Sequence, residues 1–282
     1  MEKIAFISDT TSDISSEVIS KYNINILPFR IIYKDREYLD RVNISPQEVY
    51  DNMVNEIPTS SMPSMQDIED MFTKLINEGY THIIAVTLST GLSGIYNGIR
   101  VVSENHPEIK THICDSKSIS MGEGATVVEC CKLREQGKSF DEIVAAIPGI
   151  MARVHLYFVV PTLEYLKKGG RIGRVAGTIA ELLDIKPIIT VDPDGKYVTY
   201  AKVRGRKQSL NKIIEIAQSL LNEKKYSVYI GNGAAREDAE RIYNSISKFK
   251  NISSINLIGD ISPVSGVHSG PGLIGLVMVE DN

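Results

Sequence analysis

Apolar residues in the first half of the chain recur with two different periods, and the two alternate. Ile4-Ala5-Phe6-Ile7 is an unbroken apolar run of the kind a strand buried on both faces shows, and it stops at the polar turn Asp9-Thr10-Thr11-Ser12-Asp13. A short helix is expected over 15–22, and 26–39 reads as extended with a hairpin over 33–38. From 65 to 78, Met65, Ile68, Met71, Phe72, Leu75 and Ile76 fall on one helical face, and Ser64 with Asp67 has the form of an N-terminal cap. A strand over 83–86, a helix from about Ser93, a strand over 111–114 and a helix from about Gly122 continue the alternation. The pattern predicts an α/β protein whose N-terminal part is a Rossmann-like, mostly parallel sheet with helices on both faces. Ligands of such sheets lie beyond the carboxyl ends of the strands, so 9–13, 89–94 and 115–120 are expected along one rim.

The second half is patterned differently. Strands are expected over 155–160, 188–191 and 197–203, the last two joined by the turn signal Asp192-Pro193-Asp194-Gly195. Leu163–Lys168 reads as a short helix closed by Gly169-Gly170, and Leu210, Ile213, Ile214, Ala217, Leu220 and Leu221 mark an amphipathic helix. A strand over 226–230, a helix over 235–249 and strands over 255–258 and 274–279 complete a C-terminal α/β layer domain with a mixed sheet. Pro148-Gly149 is expected to interrupt the preceding helical run. That places the boundary near 150–155, between an N-terminal domain over 1–152, with an extended insertion at about 28–60, and a C-terminal domain over 153–282.

Composition narrows the functional classes. With 31 Lys and Arg against 35 Asp and Glu, the net charge is -4, so no basic excess is available to neutralise a nucleic acid backbone. The three cysteines, Cys114, Cys130 and Cys131, are odd in number and two are adjacent, which suits reduced thiols in a cytoplasmic protein. No apolar run approaches the ~18 residues of a membrane span, and the start of the chain lacks a signal-peptide pattern, so no stable membrane insertion is expected. The histidines have no metal-ligand spacing, so neither a metal site nor a cofactor is expected.

The chemistry-bearing motifs are few. Thr87–Tyr96 leaves a strand through hydroxyls and glycines and enters a helix, an arrangement that collects hydroxyls and free N–H groups for an anion; Ser93 is its leading candidate contact. Thr59–Ser64 places three hydroxyls before Pro63 at a helix entrance; alone it reads as a capping loop, and pairing with Ser93 gives it weight. His268 lies among Gly266, Gly270 and Gly272 on what reads as a rigid turn, free to reach a ligand. Arg171, beside Gly169-Gly170, suits bidentate oxygen recognition, although the same stretch also reads as a plain helix C-terminus; Arg204 is a weaker candidate of the same kind. There is no P-loop, no complete dinucleotide fingerprint at Gly231-Asn232-Gly233, and no G-x-S-x-G elbow at Gly91–Ile95.

Taken in order and spacing, Asp9–Asp13, Thr59–Ser64, Leu88–Tyr96, Asp115-Ser116, Leu163–Gly173 and His268–Gly272 resemble the DegV family of bacterial fatty-acid-binding proteins, nearly end to end. The resemblance implies one long-chain fatty acid held in a tunnel between two α/β domains, its carboxylate near Ser60 or Ser61, Ser93 and His268, with Arg171 near the carboxylate or an incoming phosphate; Arg204, on its own residues alone, is a further candidate phosphate or partner contact. It also implies a carrier, not an enzyme. The protein would present the carboxylate to a separate dihydroxyacetone-kinase-like fatty acid kinase subunit and then hold the acyl phosphate. The family's usual Thr-Ser-Gln-Pro-Ser appears here as Ser60-Ser61-Met62-Pro63-Ser64, so an amide is lost at Met62. Two other readings use the same residues: a serine acyl-transferase or lipase-like hydrolase built on Ser93 and His268, and a small-anion or nucleotide sensor.

Overall fold

The computed structural model describes residues 2–178 and 184–281. Its first strand, β1 (Ile4–Asp9), turns through a 3-10 helical turn at Thr10–Ser12 into α1 (Ser16–Tyr22), which the Ser15 side chain caps. Next come β2 (Asn25–Leu27), β3 (Arg30–Ile32), β4 (Glu37–Leu39), α2 (Pro46–Asn52), β5 (Thr59–Ser61) and α3 (Met65–Asn77). They are followed by β6 (His82–Thr87), α4 (Ile95–Glu104), β7 (Lys110–Asp115), α5 (Met121–Glu135) and α6 (Phe140–Met151). The second half runs β8 (Val154–Val159), α7 (Glu164–Lys168), β9 (Ile185–Val191), β10 (Tyr197–Arg204), α8 (Arg206–Glu223) and β11 (Tyr226–Asn232). It closes with α9 (Arg236–Ile246), β12 (Ile252–Asp260), α10 (Pro263–Ser269) and β13 (Ile274–Glu280).

The first sheet has the order β2-β1-β6-β7 and is parallel throughout, as the alternation predicts. Every residue of β1 is buried because successive side chains enter two different cores. Ala5, Ile7, Ile83 and Ala85 pack with Ile68 and Phe72 of α3 and Ile95 and Ile99 of α4. Ile4, Phe6, Ile84 and Val86 pack with Val127 and Cys130 of α5 and Ile143 and Ile147 of α6. The expected capping box forms at α3, with Ser64 and Asp67 bonded reciprocally. All three cysteines are free and buried.

Two expectations are corrected. Pro148 does not interrupt the helix: α6 runs through it to Met151, because Pro148 and Gly149 share the exposed face while Ile143, Ile147 and Ile150 are buried. That burial offsets the hydrogen bond the proline removes. The segment at 28–60 is not simply extended either. It contains α2, started by Pro46 after the capping residue Ser45, and supplies an antiparallel sheet of order β4-β3-β5.

The third sheet is mixed, with the order β10-β9-β8-β13-β11-β12; β11 and β12 are its parallel pair. Its two faces are again separate cores. Tyr157, Val159, Val228, Ile230, Leu276 and Met278 pack under α8 and α9. Leu156, Phe158, Tyr229, Ile258 and Val277 turn the other way, toward the rim of the parallel sheet. Among the described residues no helix is long and apolar enough to cross a membrane.

Candidate functional site

The loops after β1, β6 and β7 meet at one rim. Asp9 Oδ2 accepts from Leu88 N at 3.0 Å, Asp115 Oδ1 from Thr90 N at 3.1 Å, and Thr11 O from Ser120 N at 2.8 Å. Contacts then cross to the mixed sheet. The Ser89 hydroxyl donates to Gly195 O at 2.8 Å, an approach that a side chain at Gly195 would block; glycine also suits the φ of +77° in the Asp192–Gly195 turn. Asp13 Oδ1 accepts from Ser262 N at 2.7 Å and from Arg41 Nη2 at 2.9 Å, and Asp13 Oδ2 accepts from the Ser120 hydroxyl at 2.6 Å.

Between this rim and the mixed sheet lies a cavity, about 860 Å³ of space unfilled by protein atoms when its open mouth is included. Its wall is mostly apolar, with Leu92, Leu156, Phe158, Ile258 and Val277 among the lining side chains. Ser60, Ser93, Arg171 and His268, drawn from four separate segments, all reach it. Antiparallel pairing of β5 with β3 carries Ser60 to His268, and the Ser60 hydroxyl and His268 Nε2 share a hydrogen bond of 2.7 Å. Strand alternation makes the distinction between the two candidate serines: Ser60 lines the cavity, whereas Ser61 does not. Arg204 also lies away from the cavity, exposed at the end of the edge strand β10. Met62 packs its thioether against Gly94 and Gly98 around the start of α4.

His268 is in the last turn of α10 and not on a glycine turn. A side chain at Gly169 would overlie His268 Nδ1, so glycine there gives the imidazole its seat. Burial, assisted by the positive charge of Arg171, pushes the His268 pKa down to about 4, so the ring is neutral near pH 7. Its Nδ1 is buried without a hydrogen-bond partner. Arg171 donates to Gly169 O at 2.6 Å and Leu92 O at 3.4 Å, and none of the carboxylates among the described residues forms an ion pair with it. A half-buried guanidinium held by carbonyls, beside a neutral imidazole and two hydroxyls, has the charge and donors to hold an anion.

The same geometry does not support a serine hydrolase. His268 is bonded to Ser60 rather than Ser93, while Ser93 Oγ accepts from Ile95 N at 3.3 Å. Among the described residues, none bonds Nδ1 to orient the ring as a general base. Nor, among them, does any group of three or more His, Cys, Asp or Glu side chains stand placed to hold a metal ion.

The sequence pattern gave no sign of the acids buried behind the rim. The Ser8 hydroxyl donates to Glu123 Oε1 at 2.9 Å, and the Thr11 hydroxyl lies 2.6 Å from Asp9 Oδ1 and 3.0 Å from Glu123 Oε2. Burial and then the neighbouring Asp9 charge raise the Glu123 pKa well above its usual value. Asp40 is also fully buried; neither of its carboxyl oxygens has a hydrogen-bond partner, and burial lifts its pKa from 3.8 to about 7. The nearby Thr10 hydroxyl, the Arg41 charge and the Val264 N–H pull it down only in part, and the Asp13 charge adds to the rise. Because the folded state holds this proton more tightly, stability falls as pH rises from about 4 to about 7, by on the order of 4 kcal/mol if the unfolded value is ordinary. Asp40→Asn cannot ionise and should flatten that part of the profile. Thermal unfolding at pH 5 and pH 8 checks it, and parallel profiles for the two proteins would show that Asp40 does not titrate in this range.

A profile of the family described as "Uncharacterised protein, DegV family" matches residues 3–281. A DegV domain-containing protein of Clostridium acetobutylicum is 56% identical over 281 residues, covering 100% of both chains. Among solved structures, a fatty acid binding DegV family protein of Streptococcus agalactiae superposes with a TM-score of 0.90 at 28% identity, covering 100% of both chains. A stearic acid-binding protein of Eubacterium ventriosum gives a TM-score of 0.88 at 28% identity, covering 99% of this chain and 98% of its own.

Proposed function

The chain belongs to the DegV family, and on that premise we propose that it is a cytoplasmic carrier for one long-chain fatty acid, which lies in the cavity between its parallel and mixed sheets. Residues 1–152 and 153–282 act as the two domains that form the walls. The observation that carries this reading is Arg171, a guanidinium without an ion-pair partner among the described residues, next to neutral His268 in the wall of a mostly apolar cavity. The carboxylate sits among Arg171, His268, Ser60 and Ser93. The tail supplies most of the affinity: at about 0.8 kcal/mol per buried methylene, about fourteen methylenes contribute roughly 11 kcal/mol before ordering and desolvation costs.

In this reading a separate dihydroxyacetone-kinase-like subunit brings ATP and Mg²⁺. A carboxylate oxygen attacks the γ-phosphorus, the bond to ADP breaks, and the acyl phosphate stays on the carrier. Arg171 offsets the charge at the reacting end, and the apolar walls keep water from a labile mixed anhydride. Ser93→Ala removes one hydrogen bond to a charged group, about 1.5–3 kcal/mol, and should slow acyl phosphate formation while most of the tail affinity is kept. Unchanged turnover with the cognate kinase would rule out that role for Ser93. Fatty acid carriage itself is tested by mass spectrometry of organic extracts of the purified protein. Near-equimolar fatty acid is expected; a clean extract together with no uptake of added hexadecanoic acid would refute the reading.

A further inference from the structure

We propose that the cross-strand pair Gly231–Gly275 forms a notch over which the alkyl tail crosses the mixed sheet, and that Gly275 decides which chain lengths the cavity accepts. This rests on the fatty acid reading above. Gly231 of β11 and Gly275 of β13 are direct partners in the antiparallel ladder, and both line the cavity. The neighbour of Gly275 on its other side is Phe158 of β8.

Neither packing nor backbone conformation explains the glycine at 275. A Cβ built there meets only Leu273 Cδ2 at 3.8 Å and Gly231 O at 3.9 Å, ordinary contacts, and its φ lies outside the left-handed region. A side chain would therefore project into the void. Gly231 differs, because a Cβ there would be crowded by Ile258 Cδ1 at 3.0 Å and Ile261 Cγ2 at 3.2 Å. The open half of the notch is thus Gly275.

Connectivity gives the direction of the tail. Arg171 and Tyr197 both line the cavity, and the Tyr197 ring meets Phe158 at 4.9 Å between centroids. From Phe158 the sheet passes to Gly275, then Gly231, then β12, with strands about 4.8 Å apart. Helix α10 lines the same cavity, with Val264 in its first turn and His268 in its last. A chain anchored at Arg171 and His268 therefore passes Phe158, reaches the notch, and ends among Tyr229, Ile258 and Ile261. A short chain stops before the notch.

The test is the series Gly275→Ala, Gly275→Val and Gly275→Leu, titrated with octanoic, dodecanoic, hexadecanoic and octadecanoic acids, with thermal unfolding of each variant. In the wild-type protein each added buried methylene is expected to tighten binding by up to about fourfold. In Gly275→Leu, octanoic acid should bind as before, whereas hexadecanoic and octadecanoic acids should lose at least about tenfold. The valine variant should be intermediate and the alanine variant the mildest. An equal loss at every length, or none at any length, in variants that melt like the wild type overturns the proposal. Should the leucine variant not fold, the alanine variant, which adds one methyl to open space, still has to show a loss that grows with chain length. If the wild-type protein binds none of these acids, the fatty acid reading falls and the notch with it; binding with a flat substitution profile removes the notch alone.

Discussion

Arg171→Ala is expected to weaken fatty acid binding by about 10- to 150-fold, the equivalent of losing one charge-assisted contact in a partly dry site. The wild-type guanidinium is fixed by Gly169 O and Leu92 O, so its position costs little further ordering when a carboxylate arrives. The loss should be specific to the charged head. Hexadecanol, with the same tail and no carboxylate, should bind the variant and the wild-type protein about equally. Titration of both ligands checks it, and equal weakening of acid and alcohol would mean that Arg171 supports the wall of the cavity instead of the headgroup.

Asp13→Ala should be the most damaging substitution for stability. The carboxylate accepts from the Ser120 hydroxyl on the rim, from Ser262 N beside the mixed sheet, and from Arg41, which also reaches Asp260 O at 2.8 Å. Its removal strands a buried N–H and a hydroxyl. Arg41 is 38% exposed and can turn to water, so the expected cost is about 2–4 kcal/mol, less than for a fully buried ion pair. Asp13→Asn keeps one acceptor and should cost less than half as much. Denaturant unfolding measures both. Because Asp13 also lines the cavity, the alanine variant should release bound fatty acid faster; an alanine variant as stable as the wild type would show that other contacts hold the two sheets together.

The parallel sheet and its helices were legible because buried runs such as 4–7 and the single-faced pattern of 65–78 leave few alternatives once both faces must be covered. The course of α6 was not legible. A proline argues against a helix interior locally, and only the burial of Ile143, Ile147 and Ile150 shows why the chain tolerates it. Strand β5 is three polar residues, Thr59, Ser60 and Ser61, with no alternation to reveal it, so the choice of Ser60 over Ser61 waited on its pairing with β3. At α10 the glycines suggested a turn, but Ser262-Pro263 is a good helix start, and Gly266 is required because the Tyr50 hydroxyl lies against its α-carbon. The apolar wall was the least legible part. Leu156, Phe158 and Val277 follow the same period whether a strand faces solid core or empty channel.

The most direct test of the central claim is a crystal structure of the protein loaded with 16-bromohexadecanoic acid, located by the anomalous signal of bromine. The carboxylate is expected between Arg171, His268, Ser60 and Ser93, with the bromine peak among Tyr229, Ile258 and Ile261. A bromine peak beside Arg171, or a channel holding only water while the lipid binds elsewhere, would contradict the account.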